Sequence, residues 1–102
     1  MLKEEWYEKE SIIFKEFKNQ LSEIKTFPEA QLLIRKAPPE NTPGRKYYTR
    51  FALFINGFYT IPSNLSDEER SLYLDFIEML DKTKQLKPGI GKDVKKKLNF
   101  DK

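Results

Sequence analysis

The apolar residues at the start of this 102-residue chain recur at the intervals of one long amphipathic helix. Leu2, Trp6, Ile13, Phe17, Leu21 and Ile24 are spaced by three, four or seven residues, so they share one face of an α-helix over residues 3 to 25. Tyr7 and Phe14 widen that face. At ~1.5 Å per residue the helix is roughly 35 Å long, more than the width of a small domain, so one end is expected to project or to pair with another chain.

From Thr26 onward the chain is punctuated by helix signals. Thr26 and Glu29 form a capping box in "TFPE", with Pro28 in the first turn, and predict a second helix from Pro28 to Lys36. Residues 3–36 are thus read as a helical pair. The three prolines of "APPENTPG", residues 37–44, make a linker too short to separate two domains. Further on, Ser66 and Glu69 form a second capping box. Leu72, Tyr73, Phe76, Ile77 and Leu80 then make one face of a helix that runs to about Thr83. A short basic helix is expected at residues 92–98.

Residues 45–62 carry two signals. Tyr47, Phe51, Phe54, Ile55 and Phe58 have helical spacing, Thr42-Pro43 resembles a helix start, and Gly57 would be a left-handed stop. Asn56-Gly57, flanked by aromatic and β-branched residues, is also a hairpin signal that would pair Ile55 with Phe58 and Phe54 with Tyr59. Both faces of such a hairpin would be apolar, which a two-stranded ribbon on a small domain does not tolerate, so the helix is preferred. The expected fold is all-α: one domain over residues 1–102, a compact bundle of four to five helices with a long N-terminal helix. The helical remainder spans 45–84. The alternative is α+β with a hairpin at 47–61.

Composition removes whole classes of function. The chain has neither cysteine nor histidine, so it lacks the commonest transition-metal ligands, a neutral-pH imidazole base and every Ser-His or Cys-His nucleophile. No spacing of Asp, Glu, Lys, Ser or Tyr assembles a recognisable active site; a non-enzymatic chain without cofactor or metal is expected. The carboxylates of "SDEER" are explained by helix-start chemistry rather than by a cation site. The longest apolar run, Phe51 to Ile55, is far below the ~20 residues of a spanning helix. The first ten residues also lack a signal peptide's apolar core. Both predict a cytoplasmic protein that does not enter the membrane.

Two surfaces are candidates for binding. Fourteen aromatic residues are a generous supply for this length. A surplus at the surface, from Trp6, Tyr7, Phe14, Tyr48 and Tyr59, would mark a protein interface, with a partner protein or a second copy as occupant. The second surface is basic. Residues 66–81 carry a net −5 and residues 82–102 a net +6, an acidic block followed at once by a lysine-rich one.

Within that block, "KPGIGKDVKKKL", residues 87–98, resembles the helix-hairpin-helix motif in Pro88, Gly89, Ile90, Gly91 and Leu98. The resemblance implies a turn whose backbone amides grip a nucleic-acid phosphate without reading bases. In that turn Gly89 and Gly91 would supply the amides; independently of the motif, Lys87, Lys92, Lys95, Lys96 and Lys97 form a cluster expected to attract a polyanion by charge alone, with Lys46 and Arg50 of "RKYYTR" as helpers. Two positions depart from the motif: Lys87 and Lys95 stand where it has an apolar and a small residue. The competing reading makes the glycines a helix-ending turn, Ile90, Val94 and Leu98 a small apolar stripe, and the lysines a solvated face on a loosely docked tail. The sequence thus points first to a protein-binding or self-associating helical module and second to a sequence-independent nucleic-acid backbone binder.

Overall fold

The structure is a computed structural model and describes residues 2–57, 61–62 and 64–99. The described residues form five helices and no strand: α1 Lys3–Glu23, α2 Phe27–Arg35, α3 Arg45–Asn56, α4 Asp67–Lys82 and α5 Ile90–Leu98. The chain is all-α with a long N-terminal helix. Residues 47–56 are helical, which removes the near strand of the hairpin alternative at 47–61; Phe58 and Tyr59, its far strand, lie outside the described residues.

Each boundary has a local cause. α1 stops at Glu23 because Ile24 turns extended (φ −76°, ψ 131°) and buries its side chain in the core. Thr26 then caps α2: its hydroxyl accepts from the Glu29 N–H at 3.3 Å and donates to the Glu29 carboxylate at 2.9 Å. α4 carries the full capping box, with the Ser66 hydroxyl accepting from Glu69 N–H at 3.1 Å and the Glu69 carboxylate accepting from Ser66 N–H at 3.2 Å. α3 differs from expectation at both ends. Its N-cap is Gly44, left-handed at φ +83°, rather than Thr42-Pro43, and Gly57, at φ −156° and ψ 83°, is not left-handed. A left-handed glycine also precedes α5, at Gly89 (φ +89°), so that helix begins at Ile90, two residues before the expected start.

The core lies between α1, α3 and α4. Phe51 sits at its centre, with ring centroids 5.6 Å from Phe17, 5.7 Å from Tyr73 and 5.4 Å from Phe76, while Phe54 stacks on Tyr73 at 4.5 Å. Such ring pairs contribute about 0.5–1.5 kcal/mol each beyond the apolar area they bury. Residues 90–98 are not a loose tail. Val94 and Leu98 are fully buried, and Gly91 brings the backbone so close that a Cβ there would lie 2.8 Å from Cγ of Asp81 on α4.

Two long-range ties hold the connections. Gln85 donates to the Lys25 carbonyl at 2.8 Å and accepts from the Phe27 N–H at 2.9 Å, fastening the α4–α5 loop to the α1–α2 junction. The proline loop is fastened to α1 by buried Pro43 and Gly44, and Arg45 donates back to the Pro38 carbonyl at 2.8 Å.

Candidate functional site

From Phe17 toward the N-terminus, the cover over α1 thins. Phe14 is half-buried against Tyr47, with ring centroids 4.6 Å apart; Ile13 meets Gly44; Glu10 pairs with Lys46 at 3.1 Å. Trp6 is half-buried and its indole donates to Glu10 at 3.3 Å. Beyond these contacts the helix is open: Leu2 is 69% exposed and Tyr7 60%. Among the described residues none before Phe17 is fully buried, so more than half of the longest helix has at most partial cover. On another side of α1, Ile12 borders a shallow apolar groove of about 350 Å³ with Pro38, Pro39 and Pro43.

The aromatic candidates divide accordingly. Trp6 and Tyr7 remain at the surface, and Phe14 is engaged with Tyr47. Tyr48 is a correction: at 3% exposure it belongs to the core, its ring edge-on to Phe17 at 5.1 Å, and it offers no contact surface. The aromatic surplus offered it as surface, but the helix turns Tyr48 and Phe51, three residues apart, inward together. Tyr59 lies outside the described residues. Exposed Ile12, Leu32 and Leu53 escaped notice because single apolar residues carry no pattern.

The basic candidates are not brought onto one face. Arg50 donates to both carboxylate oxygens of Glu69, at 2.9 and 3.2 Å, and Glu69 is buried. Lys46 holds Glu10 and lies 5.3 Å from the Tyr47 ring centroid. Arg50 is thus committed to the first turn of α4, and Lys46 to α1. The α5 lysines follow α4 toward Asp81, roughly 18 Å along the helix axis from Glu69.

Lys87 and Gly89 are exposed, as are Lys92, Lys96 and Lys97. Lys95 is half-buried and its ammonium lies 3.7 Å from Asp81, which is how a charge is accommodated where the hairpin motif has a small residue. The small residue that lets the helices approach is Gly91. Because the Asp81 carboxylate lies beside the first turn of α5, a phosphate gripped by those amides would meet a like charge.

Three tyrosines record the low polarity of the interior. Burial raises the pKa of Tyr73, reinforced by Glu69; Tyr48 is raised by burial and then Glu16, and Tyr47 by burial and then Glu10. The Tyr73 hydroxyl is buried with no hydrogen-bond partner among the described residues. A phenol whose pKa is raised by folding stays protonated in the folded chain while the unfolded chain ionises near pH ~10. Stability is therefore lost as pH rises above that value. Ionisation of these three phenols and loss of helical circular dichroism are expected in one alkaline step, with Tyr73→Phe moving the midpoint to higher pH. An unchanged or lower midpoint would contradict this account.

Comparison with protein-family models, with curated proteins and with solved structures returns no match for this chain.

Proposed function

We propose that the protein is a non-enzymatic helical module that self-associates through the N-terminal half of α1. The supporting observation is the uncovered state of that half: Leu2 and Tyr7 stand in solvent beside half-buried Trp6 on a helix that the rest of the fold meets mainly from Ile13 onward. Tyrosine and tryptophan are the residues most enriched where protein surfaces meet.

For two copies, charge favours an antiparallel over a parallel pairing. An antiparallel pairing about Tyr7 sets Lys9 of each chain level with Glu5 of the other, and Glu4 level with the Glu10 that Lys46 already holds, whereas a parallel pairing sets every charge against its like. The antiparallel arrangement is two-fold and closes at a dimer. With only three large apolar residues per arm, the association is expected to be reversible and concentration-dependent.

Sedimentation equilibrium tests it. The weight-average mass should climb toward that of two chains as concentration rises, and Tyr7→Glu, an exposed substitution that leaves the core alone, should hold the protein monomeric. A monomer at every concentration overturns the proposal, as does a dimer that Tyr7→Glu leaves intact.

A further inference from the structure

The basic helix α5 presents a second surface, independent of α1, and we infer that its outer face binds the phosphate backbone of duplex nucleic acid without reading sequence. The apolar side of α5 is spent inside the fold. Val94 and Leu98 are buried, Ile90 is half-buried, and the backbone at Gly91 abuts Asp81. The opposite side carries Lys92 and Lys96, one turn apart and exposed, with Lys95 and Asn99 along the same shallow recess. Among the described residues one carboxylate borders that recess, Asp81, and Lys95 already holds it at 3.7 Å. Lys92 and Lys96 have no ion-pair partner among the described residues and project from a rigid helix.

Side chains four apart on a helix stand about 5–6 Å apart at Cβ, a spacing of the same order as that between successive phosphates on one strand. Lysine supplies point charges rather than the bidentate fork of arginine, which suits backbone contact and not base readout. Among the described residues that line the recess none carries a ring to stack on unpaired bases, which favours a duplex over a single strand. A lipid surface fits less well, because the apolar side that an amphipathic helix would insert is already buried in the core. Exposed Lys82, Lys84 and Lys87, on the last residue of α4 and in the loop after it, extend the positive field.

The test is fluorescence anisotropy with a short labelled DNA duplex of random sequence. Two to three phosphate contacts give a log-log salt slope of about −1.8 to −2.7, so a fourfold rise in salt should weaken binding roughly 12- to 40-fold. Lys92→Gln/Lys96→Gln should lower affinity at low salt at least tenfold with an unchanged unfolding midpoint, and Lys92→Glu/Lys96→Glu should abolish binding. The same charge change at Lys15→Glu/Lys36→Glu, on α1 and at the end of α2, should cost far less. Absence of duplex binding at low salt overturns the inference. So does binding that the Lys92 and Lys96 variants leave unchanged, or attachment to phosphatidylserine vesicles without attachment to the duplex.

Discussion

Replacing Gly44 with alanine is expected to destabilise the protein by about 2–5 kcal/mol, the sum of a left-handed backbone cost of ~1–2 and an overpacking cost of ~1–3. Gly44 has φ +83°, and a Cβ built on it would fall 2.2 Å from Cγ2 and 2.5 Å from Cβ of Ile13. Those are not the mobile ends of a long side chain; Ile13 is β-branched and stiff on its helix, so relief requires the proline loop to lift from α1. Gly89 supplies the control, because its φ of +89° is nearly the same and nothing lies within 4 Å of its would-be Cβ. Gly89→Ala should therefore cost only the backbone part, about 1–2 kcal/mol.

Urea denaturation separates the two. The Gly44→Ala midpoint should fall well below that of Gly89→Ala, and Ile13→Ala in the Gly44→Ala background should restore part of the loss, a coupling expected only between touching side chains. Equal midpoints for the two glycine variants would mean that the loop does not rest on Ile13.

How far the sequence alone leads depends on whether a residue's role is local. The Thr26–Glu29 and Ser66–Glu69 boxes are short-range arrangements, and they placed α2 and α4 within a residue or two of their observed starts. The periodicity of residues 2–24 likewise located α1 and hinted that one end outruns the body. What escaped the sequence was contact across the fold. Gly44 read as part of a linker because nothing nearby in the chain announces Ile13 above it, and Gln85 read as loop although its amide clamps two backbone groups some 60 positions earlier.

The surfaces obeyed the same rule. Tyr7 proved to be exposed and Trp6 half-buried, but Tyr48 sat in a polar-looking hexapeptide and is core. Lys95 looked disqualifying beside a helix contact until Asp81, fourteen residues earlier, supplied its partner. Charge segregation between α4 and α5 was plain in composition; which lysines were spent internally was not.

The second large effect concerns a residue whose two readings predict opposite results. Arg50 was a candidate for nucleic-acid contact, and a free surface arginine can be replaced at little cost to stability, within about 0.5 kcal/mol. In the structure its guanidinium spans both oxygens of Glu69, a carboxylate 3% exposed whose other partner is the Ser66 N–H that completes the α4 cap. Arg50→Met keeps the length of the side chain and removes the charge, leaving that carboxylate uncompensated.

Stranding a buried ion this way costs about 3–5 kcal/mol in a dry interior; because the Arg50 side chain is 23% exposed and the site is partly wet, the expected loss is about 2–3 kcal/mol. Glu69→Gln is the milder change, about 1 kcal/mol, since the amide oxygen still accepts from Ser66 and the guanidinium left behind can turn to water. Combining Arg50→Met with Glu69→Gln should cost less than the sum of the two, because the second substitution removes the charge that the first one strands. Denaturant midpoints of the three variants decide it. An Arg50→Met protein as stable as the parent would show that the pair is a loose surface contact and would return Arg50 to the pool of residues available to a ligand.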